Sequence, residues 1–168
     1  GCNFTVAHDL ATVSWSHAYY DSTTQWPADF DPTQVSTLYF IGAGSDLTDA
    51  ILSSANLGAA NLRGAILTGA TVDNVIWANA YYDGTTQFPA GFDAAIIGLY
   101  LIGPGSDLSG ASLVNADLSN ADLTGANLSN ADLTGADLTN TVLINVIWNN
   151  TVCSDGQLSD DSGGVCDG

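Results

Sequence analysis

A five-residue period limits what this chain can fold into more than any other feature. From Ser106 the sequence divides without a gap into SDLSG, ASLVN, ADLSN, ADLTG, ANLSN, ADLTG, ADLTN, TVLIN, VIWNN and TVCSD. From Ser45 it divides again into SDLTD, AILSS, ANLGA, ANLRG, AILTG, ATVDN, VIWAN and AYYDG. The third place is a column of leucines: Leu47, Leu52, Leu57, Leu62 and Leu67, then Leu108, Leu113, Leu118, Leu123, Leu128, Leu133 and Leu138. The first place is nearly always Ala. Such a period matches neither a helix at 3.6 nor a strand at 2. It fits a square coil whose four sides take one repeat each, with Leu and Ala pointing inward. Asp, Asn, Ser, Thr and Gly at the other places suit tight turns and water. Each buried Leu contributes roughly 1.5–3 kcal/mol, and coils stack at the strand spacing of about 4.8 Å.

The pattern resembles the pentapeptide repeat family, whose motif is A-(D/N)-L-x-x. The resemblance covers residues 45–84 and 106–155, and the register holds over eight repeats and then ten. It implies an all-β fold, a right-handed quadrilateral β-helix; the handedness comes from the resemblance and not from the period.

A longer repeat overlies the short one. Residues 15–50 align with residues 77–111, one residue being absent from the second copy, through the shared motif YYD-x-TTQ-(W/F)-P. The connecting stretch 85–105 therefore reads as one irregular coil with a bulging turn around Pro89, and not as a linker. The expectation is a single domain over 1–168. Residues 1–44 form N-terminal irregular coils, 45–84 the first array, 85–105 the connecting coil, 106–155 the second array and 156–168 a C-terminal loop. That gives about eight coils, roughly 40 Å of stacking.

Charge narrows the partners. The chain of 168 residues has 18 acidic groups, all Asp, against one Arg and no Lys, for a net charge of −17. Phosphate-backbone binding needs Lys and Arg, so nucleic acid is excluded as a partner; anionic membrane surfaces are disfavoured. The hydrophobic fraction of 46% separates the chain from disordered acidic tails. The longest apolar run, residues 94–103, is too short to span a bilayer. No basic start followed by an apolar stretch marks a signal peptide.

Cys153 and Cys166 enclose a polar, turn-rich segment. A disulfide there suits an oxidising compartment and would close a cap over one end of the coil. Cys2 is left over as a free, intermolecular or lipidated thiol. Asn3, Asn127 and Asn149 begin Asn-x-Ser/Thr sequons and are candidate glycosylation sites.

Residues twenty apart should sit one above another, so Asp117 and Asp137 form a stacked pair. With Asp155, Asp160 and Asp161 of the C-terminal segment they are the candidate cation sites, for weak Ca²⁺ association; a solvated acidic face is the plainer reading. No cofactor is otherwise expected. His8 and His17 lack the partners of a nucleophilic site, and there is no phosphate-cradling loop with a Lys. The chain therefore reads as no enzyme. The aromatic clusters around Tyr20 and Tyr82 read as plugs for the irregular coils, with sugar stacking as the sharper alternative.

Two functions fit. The first is a secreted or cell-surface structural or interaction module, a homo-oligomer whose copies stack end to end into filaments, because open coil ends expose unpaired backbone. The second follows from the resemblance: some pentapeptide repeat proteins mimic DNA and bind DNA topoisomerase.

Overall fold

A computed structural model describes residues 18–22, 24–28, 30–34, 38–159 and 166. Its organising element is a parallel turn of twenty residues. In the first array Asp46 bridges Ile66, Ile51 bridges Thr71, Asn56 bridges Ile76 and Asn61 bridges Tyr81. In the second, Asp107 bridges Asn127, Ser112 bridges Asp132, Asp117 bridges Asp137 and Asp122 bridges Val142. Each turn thus carries four parallel bridges five residues apart, all at the second place of the repeat.

Three backbone bonds per repeat join neighbouring turns. The third-place N–H donates upward, as from Leu118 to the Asp137 carbonyl (2.9 Å); the second-place N–H donates downward, as from Asp137 to the Ala116 carbonyl (2.9 Å). At the corner the fifth-place N–H also donates upward, as from Asn120 to the Thr139 carbonyl (2.9 Å).

The corners explain the choice of residues. Each corner closes by a bond from the next first-place N–H to the third-place carbonyl, for example Ala121 to Leu118 at 3.1 Å. The fifth place lies at positive φ in all but the last repeat of each array: Gly64, Gly69, Gly110, Gly125 and Gly135, Asn74, Asn79, Asn115, Asn120, Asn130, Asn140, Asn145 and Asn150, and Asp49. A positive φ at only the third residue of a four-residue turn is the type II pattern, which favours Gly and then Asn. Ser54 at φ 63 and Ala59 at φ 58 are the exceptions among the neutral side chains.

Leu and Ala fill the interior. Every leucine of the two columns, from Leu47 to Leu67 and from Leu108 to Leu138, is buried, as are Trp77, Trp148 and Cys153, which take the same place later in each array. The first-place alanines line the space beside them because only a small side chain fits next to the leucine column. The interior forms two clusters, one per array. Tyr81 and Ile102 belong to the second, and Leu99 and Ala94 to the first.

The longer repeat is visible as paired irregular segments. Strand β1 (Ala18–Tyr20) pairs in parallel with β2 (Leu38–Phe40), and β3 (Tyr81–Tyr82) with β4 (Tyr100–Leu101). The turn expected around Pro89 is present, closed by the Phe92 N–H on the Pro89 carbonyl (3.1 Å). A single-turn helix α1 (Ala94–Ile97) then follows, which the sequence reading did not anticipate. The Asp93 side chain caps its first turn, accepting from the N–H groups of Ala95 and Ile96, and Gly98 ends it at φ 84. A 3-10 turn, Pro32–Gln34, stands near the matching position of the first copy. Phe88 and Phe92 stack at 4.7 Å, with Tyr82 and Trp77 edge-on to them, filling the irregular coil.

The corner geometry gives a direct test. Ala59 carries the left-handed penalty of about 1–2 kcal/mol that Gly escapes, less the greater chain entropy of Gly. Ala59→Gly is expected to raise the thermal midpoint, corresponding to about 0.5–1 kcal/mol, and Asn130→Ala to lower it. Thermal unfolding followed by circular dichroism reads both; a fall in Ala59→Gly would contradict the corner assignment.

Candidate functional site

Three features of the surface carry chemistry: the second-place acids, the seam between the two arrays, and the C-terminal end of the second array.

The acids are turn-locking groups first. Oδ1 of Asp107, Asp117, Asp122, Asp132 and Asp137 accepts the N–H two residues ahead, at 2.9–3.1 Å. The hydroxyls of Ser119 and Thr134 donate to Asp117 and Asp132 at 2.6 Å. Asn56, Asn61 and Asn127 use their side-chain oxygen in the same way. This explains why Asp and Asn share the place: both supply an oxygen on a short stem, and Glu would overshoot. Hydrogen bonds from the following Ser or Thr hold the carboxyls of Asp46, Asp107, Asp122, Asp132 and Asp137 below their ordinary range.

Asp117 and Asp137, expected as a stacked pair, face one another as bridge partners and are exposed. Asp155 lies apart from them and accepts from the Gln157 N–H at 2.9 Å. Asp160 and Asp161 lie outside the described residues, as do Cys2, Asn3, His8 and His17. No group of three or more His, Cys, Asp or Glu side chains suited to a metal occurs among the described residues. Asn127 is half-buried and its Nδ2 donates to Asp107 (3.2 Å), whereas Asn149 is exposed.

The seam rests on two side chains whose role the sequence reading did not assign. In the regular coil the Asp137 N–H finds the Ala116 carbonyl twenty-one residues back. For Asp117 that position is Ile96, and α1 carries it out of register, with its side chain 83% exposed. The phenol oxygen of buried Tyr81 takes over as acceptor for the Asp117 N–H (3.0 Å). Tyr19, the matching residue of the first copy, accepts from the Asn56 N–H at the same distance, 3.0 Å. Beside Tyr81, the guanidinium of Arg63 donates from Nη1 to the Asp117 carbonyl (3.0 Å) and from Nη2 to the Ser119 carbonyl (3.1 Å). Arg63 Nε stands 3.9 Å from Asp83 Oδ2. Burial pushes the Asp83 carboxyl up. Hydrogen bonds from Thr85 and Gly64 and the charge of Arg63 outweigh it, and the net shift is downward.

At the C-terminal end, Cys153 and Cys166 are joined by a disulfide with Cα atoms 5.3 Å apart. The chain doubles back, with Val152 bridging Leu158 antiparallel. The Cys153 N–H donates to the Gln157 carbonyl (2.7 Å) and the Ser159 N–H to the Thr151 carbonyl (2.8 Å). The Ser159 hydroxyl donates to the Trp148 carbonyl. This segment covers one side of the last turn. On the other three, the N–H groups of Leu138, Leu143 and Trp148 and the carbonyls of Ala136, Thr141 and Val146 have no partner among the described residues. Val142, Ile144 and Ile147 are exposed beside them, at 40%, 60% and 53%. No helix among the described residues is long and apolar enough to cross a membrane.

A family model described as pentapeptide repeats matches residues 43–76 and 105–140 in eight copies. Among solved structures, the chain is similar to HetL, a pentapeptide repeat protein involved in heterocyst differentiation regulation from the cyanobacterium Nostoc sp. strain PCC 7120. Identity is 34% with a TM-score of 0.32, over 67% of this chain and 42% of that one. The chain thus spans less than half the length of that protein. No curated protein matches.

The acids give a pH test with a defined sign. A carboxyl whose folded pKa is depressed stabilises the fold fully above its unfolded pKa and loses that contribution as pH falls through the folded value. Protonation also relieves self-repulsion, which moderate salt screens. At about 0.15 M salt the unfolding midpoint is therefore expected to be flat from neutral pH to about pH 5 and to fall below about pH 4. Asp→Asn at positions 122 and 132 keeps the turn acceptor and should shallow the fall; an unchanged slope would contradict the assignment.

Proposed function

Because the chain belongs, through its two arrays, to the pentapeptide repeat family, we propose that it is a right-handed quadrilateral β-helix of about eight coils serving as a non-catalytic structural or interaction module. Its copies associate end to end, and it works in an oxidising, extracellular or cell-surface setting.

The observation that carries this reading is the end of the second array, where main-chain groups on three sides have no partner among the described residues. Three sides of the last turn hold donors and acceptors spaced as in every buried turn below it, with Val142, Ile144 and Ile147 exposed beside them. An unpaired parallel edge is a template for another strand, and a repeating coil offers the complementary pattern on its opposite face. Joining such faces gives a head-to-tail contact, which propagates unless the geometry closes it. The Cys153–Cys166 disulfide supports the oxidising setting, since such links are rare where thiols are kept reduced.

The second reading is a DNA mimic that binds a topoisomerase. The charge of −17 favours it. Against it, the second-place acids Asp107, Asp117 and Asp122 fall on three different sides of the coil and not in one line.

Sedimentation velocity over a wide concentration range tests the first reading. A mass that grows with concentration is expected, and Ile144→Asp with Ile147→Asp should abolish the growth while leaving the circular dichroism spectrum unchanged. A wild-type monomer at the highest concentration would overturn self-association. Protection of DNA gyrase from an inhibitor in a supercoiling assay would favour the second reading.

A further inference from the structure

We propose that the cleft beside the first irregular coil binds a neutral oligosaccharide. The cleft has a volume of about 810 Å³, within the ~300–1,000 Å³ of small-ligand sites. The described residues lining it include the rings of Tyr20, Trp26 and Phe40 and the polar side chains of Asn56, Asn61 and Asp117. Gly58, between the two asparagines, adds no side chain to the lining.

The rings form one contiguous set. The Tyr20 centroid lies 5.5 Å from that of Trp26 and 5.3 Å from that of Phe40. Aromatic rings offer a flat apolar surface with a negative face, which suits the C–H faces of a pyranose ring. Tyr19 and its counterpart Tyr81 of the second copy both line the cleft, Tyr19 40% exposed and Tyr81 4%.

The polar groups fix the ligand class. Asn56 and Asn61 each spend the side-chain oxygen on a turn, accepting from the Gly58 N–H (3.0 Å) and the Arg63 N–H (3.2 Å). Their Nδ2 groups make no hydrogen bond among the described residues and remain as donors. Asp117 likewise spends Oδ1 on Ser119, leaving Oδ2 as an acceptor. Two amide donors and a carboxylate acceptor beside aromatic rings match vicinal hydroxyls, each of which both donates and accepts. An anionic ligand is excluded because no Lys, Arg or His lines the cleft among the described residues, while Asp21 and Asp117 do. A cation would leave both amide donors unused. The longer repeat supplies an internal contrast: continued at the same offset, it sets Asp117 and Asp122 opposite Asn56 and Asn61, so the second copy lacks both donors.

That contrast gives the experiment. Asn56→Asp with Asn61→Asp keeps the turn oxygen, as the native aspartates do at this place, removes both donors and adds two negative charges. Isothermal titration with cellotetraose, maltotetraose and triacetylchitotriose is expected to show binding of at least one by the wild type. The double variant should bind it at least about tenfold more weakly, roughly 1.4 kcal/mol, with an unchanged circular dichroism spectrum. Ser112→Asp, adding one negative charge at the same place outside the cleft, should bind as the wild type does. No heat from any of the three at roughly 10 mM, equal affinity in the double variant, or equally tight binding of tetragalacturonate would each overturn the proposal.

Discussion

The corner residue held at positive φ is the constraint on which the rest of the structure depends. A turn of the type II kind every five residues sets the length of each side, and the side length sets the twenty-residue return that puts Asp107 on Asn127 and Asp117 on Asp137. Only Gly and Asn take that conformation readily, which accounts for their recurrence at the fifth place. Once the corner is fixed, the place before the leucine must reach across to the following N–H with a short side chain, so it becomes Asp or Asn. The missing Glu and Lys, and much of the charge of −17, follow from this backbone requirement.

The same constraint explains why the irregular coils need special side chains. Where α1 interrupts the twenty-residue turn, the carbonyl that the next turn requires is out of register. Tyr81 substitutes a phenol oxygen for it, and Arg63 fastens two carbonyls of the same segment. Buried or half-buried backbone groups left unpaired cost about 1–3 kcal/mol each, so these contacts restore what the interruption removes. The same tyrosine bond recurs in the first copy of the longer repeat, between Asn56 and Tyr19.

The leucine and alanine columns were legible because a strict period of five with one large apolar residue admits few other folds. The vertical pairing of Asp117 with Asp137 followed from the same arithmetic. Helix α1 was not legible: a single turn is shorter than any helical period, and only Asp93 before it and Gly98 after it marked its ends. Tyr81 read as part of an aromatic plug because its ring is apolar, while its function in the seam rests on the phenol oxygen. Arg63 was conspicuous as the one Arg of the chain, but its partners are backbone carbonyls more than fifty positions ahead, which no side-chain pattern encodes. The free donors of Asn56 and Asn61 became apparent only once the turn bonds had been assigned to their oxygens.

Amide hydrogen exchange on the monomer tests the stacked coil and the end of its second array together. Leu118, Leu123 and Leu128 donate to the turn above, whereas Leu138, Leu143 and Trp148 occupy the same place one turn later with no acceptor among the described residues. The first three amides should exchange slowly, near the rate set by global unfolding, and the last three should exchange much faster. Equal protection of the two sets in a dilute, monomeric sample would contradict the account.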